Sequence, residues 1–130
     1  MYEWRSHTAE IELAIDAETE TQVFADAVAA FAELVALERG GALQKREVAL
    51  EAPDRASLLV EWLQELIFLA DTESFVAERV EDFRLQAGSL AATLVGGRAA
   101  FEPLVKAATY HGLQFTREGD LWQARVVLDV

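Results

Sequence analysis

Cysteine is absent from all 130 residues. That excludes a disulfide framework, thiolate metal ligands and a cysteine nucleophile, and leaves any metal to oxygen or imidazole donors. Basic residues are scarce: 11 Lys and Arg stand against 23 Asp and Glu, for a net charge of −12. A chain this acidic repels phosphodiester backbones, which are gripped chiefly through lysine and arginine, so direct binding of RNA or DNA is not expected. The same charge suits solubility, a cation or a basic protein surface, and alone does not choose among them. No apolar run approaches the ~20 residues of a membrane span, and the opening MYEWRSHT lacks a basic-then-apolar leader pattern. The expected setting is therefore cytoplasmic, away from any membrane. Phosphate-cradling glycine loops, a GxSxG elbow and an HExxH pair are all missing, and Gly96-Gly97-Arg98 reads only as a turn. A self-sufficient hydrolase or transferase has no visible machinery.

What is present describes an ordinary globular chain, with 52% hydrophobic and 26% charged residues. The length suits one domain with a single core. Tyr2 to His7 reads as an opening strand, and Ile11, Leu13 and Ile15 alternate with Glu10, Glu12 and Ala14 as a half-buried one. Thr19 and Gln22 form a capping-box pattern before a helix that carries Phe24, Ala27, Val28, Phe31, Leu34 and Val35 to Leu37, stopped by Arg39, Gly40 and Gly41. A strand over Gln44 to Glu51 follows, and Asp54 caps a second helix presenting Leu58, Leu59, Trp62, Leu63, Leu66 and Ile67. Val76 to Gln86 and Leu90 to Val95 predict a hairpin about Gly88-Ser89. A strand from Leu104 to Tyr110 ends near Gly112. Leu113 to Thr116 and Leu121 to Val130 form a last hairpin turning at Glu118-Gly119-Asp120. Strands outnumber helices without alternating regularly, so the class is α+β, with mostly antiparallel sheet packed on two principal helices.

Few residues suggest chemistry. His7 and His111 are potential ligands or proton carriers, but lone histidines at strand ends more often bond to backbone and fix a turn. Lys106 sits in a stretch otherwise free of charge. It reads equally as a solvent-facing edge lysine and as a cation held near an acidic site. The acidic candidates are Glu10, Glu12, Asp16 and Asp129. In the final RVVLDV, Asp129 lies on the face opposite Val126 and Leu128, beside the carboxylate of Val130. Were the first and last strands neighbours, Glu10, Asp129 and that carboxylate would offer three oxygen donors for a hard cation such as Ca²⁺ or Mg²⁺. Periodicity does not establish that adjacency, and by itself it favours solvated acids.

Four segments, in order and over nearly the whole chain, resemble the archease family. SHTAEIEL is similar to a DHTADI pattern, LLVEWLQELIFLADTE to LLxxWLNELLYLxDTE, and VKAATYHGLQF and WQARVVLDV complete the set. The resemblance implies a compact α+β domain with a metal site near the chain ends. Its ligands would include Glu10 and Asp129, with Val130 adding its carboxylate, and Lys106 matches a lysine implicated in activity. It implies an accessory protein, not an enzyme, that promotes guanylylation and repeated turnover of an RtcB-type RNA ligase, with a divalent metal, Ca²⁺ or Mg²⁺, as cofactor. Ser6 and Glu10 stand where the pattern has its two aspartates, and glutamate keeps the charge but adds a methylene. Rival readings are a small-molecule binding module, a metal-dependent hydrolase using Glu10 and Asp129, and a general chaperone.

Overall fold

The alternating segments near the two ends of the sequence become neighbours in one sheet. The computed structural model describes residues 1–7, 9–35, 42–98 and 105–130, with only the backbone of Ser6 and His7. Strands β1 (Tyr2–His7), β2 (Glu10–Ala17), β7 (Leu121–Asp129) and β6 (Ala107–Glu118) form a sheet in the order β1-β2-β7-β6. Strands β3 (Gln44–Glu51), β5 (Ser89–Arg98) and β4 (Phe75–Gln86) form a second, in the order β3-β5-β4. Every pairing is antiparallel. Helices α1 (Glu20–Val35) and α2 (Arg55–Glu73) each pack on strands of both sheets. The α+β reading holds, with the strands divided into two sheets.

The core follows from the periodicities. Leu13 and Ile15 on β2 and Ala124, Val126 and Leu128 on β7 face the helices, leaving Glu12, Asp16, Arg125 and Asp129 on the outer face. Phe24, Phe31, Trp62, Leu66 and Leu128 are all buried. Phe24 of α1, Trp62 of α2, Phe83 of β4 and Phe115 of β6 form one aromatic cluster with centroids 5.5–6.0 Å apart, and so join both helices to both sheets. The buried indole N–H of Trp62 donates to the Phe24 carbonyl at 3.0 Å, which satisfies the one polar atom that the ring takes inside.

Helix starts are set by short polar side chains. Asp54 accepts from the Ser57 N–H at 2.8 Å, and this bond holds its carboxyl below the usual carboxylate range. Thr19 accepts from the Gln22 N–H at 3.0 Å, but Gln22 donates its amide to Asp26 at 2.7 Å instead of closing the reciprocal arm of a capping box. Ser74 ends α2 in the left-handed region at φ 54°. The stop expected at Arg39, Gly40 and Gly41 lies outside the described residues, as do Leu37 and Leu104.

Three strand readings need correction. The β4–β5 turn is Ala87-Gly88, with Ser89 already paired to Gln86; Gly88 takes φ 75°. Gly96-Gly97-Arg98 is no turn but the end of β5, paired with Ala77, Val76 and Phe75. A Cβ on Gly96 would lie 2.1 Å from the Val76 carbonyl oxygen, so the strands approach only because that position has no side chain. The two segments expected on either side of Gly112 are one strand, β6. Its ladder to β7 breaks between Thr109 and Gln114, so Tyr110–Leu113 is surplus backbone, with Gly112 at φ 64°.

Two substitutions test this packing. Trp62→Ala should cost ~3–5 kcal/mol in denaturant unfolding, since it removes a buried ring and strands the Phe24 carbonyl. Gly96→Ala should cost at least ~1–3 kcal/mol despite adding a single methyl, because the clash is with backbone. An unchanged unfolding midpoint for either would contradict the core described.

Candidate functional site at the end of the β2–β7 ladder

The antiparallel register places Glu10 directly opposite Asp129. Directly opposed residues share a face, with Cβ atoms about 4.5–5.5 Å apart, and two like charges so placed repel. Neither carboxylate has an ion-pair partner among the described residues. The next acid along, Glu12, is met by Arg5 at 3.5 Å, and Asp16 lies near the far end of β2 opposite Gln123. Of the four acidic candidates, the fold therefore brings Glu10 and Asp129 together and sets the other two aside.

The backbone around this pair is tied down. The Val130 N–H donates to the Ala9 carbonyl at 3.2 Å, and the Lys106 N–H donates to the Asp129 carbonyl at 2.8 Å. Ala9 takes φ 58°, a left-handed conformation that costs a non-glycine residue roughly 1–2 kcal/mol. Strain of this kind persists where surrounding contacts enforce it. Here the contact enforced joins the β1–β2 connection to the end of β7. Val130 turns its side chain toward the core, where it packs half-buried.

Lys106 combines the two readings its sequence context left open, exposed and beside acids. Ala107 pairs with Asp129 and shares its outer face; Lys106, one residue earlier, lines an open hollow of about 410 Å³ with Glu61, Gln64, Glu65, Ile67, Phe68 and Asp71 of α2. Its ammonium makes no ion pair with Glu10 or Asp129. It is exposed, and it stands near acids, but the acids are those of the helix. His111 has an exposed ring without a hydrogen bond among the described residues. Its backbone N–H donates to the Thr109 hydroxyl at 3.3 Å, so the bulge is fixed by Thr109 and not by the imidazole. The side chain of His7 lies outside what is described.

Gln64 is a structural residue with no signal in the sequence. Its side-chain amide donates to the Ala108 carbonyl at 3.3 Å and accepts from the Ala108 N–H at 3.2 Å. The glutamine thus acts as a one-residue strand partner for β6, which among the described strands is a sheet edge. Being two residues from Lys106, this bond pair fixes where the lysine leaves the sheet.

Two side-chain carboxylates, with the Val130 carboxylate adjoining, fit a hard cation held loosely and finished by water. Ca²⁺ takes about 6 to 8 oxygens and Mg²⁺ retains several waters, so two or three protein donors would leave most positions to solvent. No group of three or more His, Asp and Glu side chains converges on a metal position among the described residues, so the pair is not a closed cage.

The whole chain compares with known proteins in one direction. Residues 2–130 match the model of the archease protein family. Among curated relatives, "Protein archease" of Methanosarcina mazei is 35% identical and that of Methanosarcina barkeri 34%, each alignment covering 99% of this chain and 95% of the relative. The solution structure of Methanobacterium thermoautotrophicum protein 1598 has a TM-score of 0.70 at 29% identity, covering 99% of this chain and 98% of that one. The crystal structure of a Thermotoga maritima archease, described as a possible chaperone, shares the fold with a TM-score of 0.68 at 22% identity, covering 100% and 98%.

The opposed carboxylates yield a thermal test. In chelator-treated buffer Asp129→Asn should stabilise the protein by ~0.2–1 kcal/mol, because it removes like-charge repulsion across the ladder. Millimolar Ca²⁺ or Mg²⁺ should then raise the melting temperature of the wild type and leave that of Asp129→Asn and Glu10→Gln almost unmoved. An equal rise in all three proteins would assign the effect to general screening. The sequence, the paired sheets and the relatives agree: this chain belongs to the archease family.

Proposed function

We propose that this protein is an accessory factor, without catalysis of its own, for an RtcB-type RNA ligase. It would promote guanylylation of the ligase and so allow repeated joining of RNA ends. The observation that carries the reading is the Glu10–Asp129 pair, opposed in register beside the backbone of Lys106 at one end of the sheet. Glu10 and Asp129, with the Val130 carboxylate, would hold a divalent cation, Ca²⁺ or Mg²⁺. Bound there, such an ion supplies positive charge that neutralises phosphate oxygens. Lys106 adds an ammonium on a flexible stem one residue before β6, the strand that pairs with the one carrying Asp129, and is suited to a nucleotide phosphate. Gln64 holds that segment of β6 in place through Ala108. The acidic surface favours action through the ligase protein over a grip on the RNA.

The test is the rate of ligase guanylylation with GTP at matched metal concentration, with and without this protein. Wild type should accelerate it and convert single into sustained turnover. Asp129→Ala and Lys106→Ala should remain folded and lose on the order of tenfold or more of the stimulation. Failure of the wild type to accelerate a cognate ligase would overturn the accessory reading.

A further inference from the structure

Only a few large apolar side chains are exposed among the described residues, and two of them flank one crevice. Phe68 of α2 is 55% exposed and Tyr110 of β6 is 57% exposed. Between α2 and β6 lies the open hollow lined by Lys106 and by Glu61, Glu65, Phe68 and Asp71. These α2 residues fall at helical spacing along one stripe, with Phe68 between Glu65 and Asp71. An aromatic ring held in water inside such a stripe serves no core, since Ile67 and Leu69 on either side are already buried.

The charge of the stripe is not balanced internally. Glu61 accepts a hydrogen bond from the Tyr110 hydroxyl at 3.4 Å. Glu65 and Asp71 have no ion-pair partner among the described residues. Burial, with Glu73 nearby, pushes the Glu65 carboxyl upward, which is the response of a partly covered acid short of a cation. Glu61 and Glu65, one turn apart, also repel each other along the helix. Among the described residues Lys106 is the single cation lining the hollow, against three carboxylates.

We propose that the crevice between α2 and β6 is a docking surface for a basic segment of the protein partner. A lysine or arginine side chain enters among Glu61, Glu65 and Asp71, and an apolar neighbour packs on Phe68. The proposal rests on the accessory reading, because the crevice shares Lys106 with the Asp129 end of the sheet. A partner seated there is carried toward the opposed carboxylates. Nucleic acid does not fit this surface, as its phosphates would face uncompensated acids. A basic peptide does, because opposite charge speeds encounter and sets orientation while a buried aromatic supplies much of the hold.

Binding of the purified cognate ligase to the full-length protein, measured by calorimetry, tests the proposal. Phe68→Ser should weaken binding by about tenfold or more, whereas Leu121→Ser, an exposed apolar residue at the distant β6–β7 turn, should change it by less than about twofold. Glu65→Gln with Asp71→Asn should flatten the salt dependence of the affinity. Circular dichroism guards against misfolding, and Glu65→Arg, at a half-buried position on the helix surface, gives a second variant that should also weaken binding. If wild type binds and Phe68→Ser, Glu65→Arg and the neutralised pair all bind equally well, the docking proposal is overturned while the accessory reading stands. If wild type itself does not bind the ligase, both fall.

Discussion

Pairing of β2 with β7 is the constraint on which the rest depends. It joins segments at opposite ends of the sequence, and closing so long a stretch of chain is entropically unfavourable, though the cost grows only slowly with length. Leu13, Ile15, Val126 and Leu128 offset it by burial on the inner face. A slip of one residue would turn those side chains to water. The same register that protects the core therefore fixes Glu10 opposite Asp129 on the other face. Hydrophobic patterning specifies the position of the charges.

The helices extend that logic sideways. Trp62 locks α2 to α1 through the Phe24 carbonyl, and the aromatic cluster reaches Phe83 and Phe115 in the two sheets. α2 then presents Gln64 to the edge of β6, where a side-chain amide replaces a missing strand. Lys106 is held between these attachments, its N–H bonded to Asp129 and its side chain beside the acids of α2. One helix thus carries a core face, an edge clamp and an exposed acidic stripe around Phe68.

Local signals were legible in the sequence, and long-range ones were not. Helical spacing placed Phe24, Phe31, Trp62 and Leu66 in the core, and Asp54 announced its helix, because these depend on near neighbours. Alternation placed Glu10 and Asp129 on polar faces. Their adjacency needed the register, which no period encodes; the family resemblance supplied it. Gly96 was misread because its reason is a carbonyl some twenty residues earlier in the chain, on β4. Gln64 carried no signal, because its partner is the backbone of a strand distant in sequence. For Lys106 the sequence left an edge position and an acidic neighbourhood open, because the hollow that it lines is set by a helix far away in sequence.

Two acidic groups now compete as the place where a cation would bind, the Glu10–Asp129 pair and the stripe on α2. Titration of isotope-labelled protein with substoichiometric Mn²⁺, followed by amide line broadening, separates them directly. The amides of Glu10, Ile11, Asp129 and Val130 should broaden first, and Asp129→Asn should abolish this. Preferential broadening along Glu61, Glu65 and Asp71, or uniform broadening over the acidic surface, would contradict a cation site at Glu10 and Asp129.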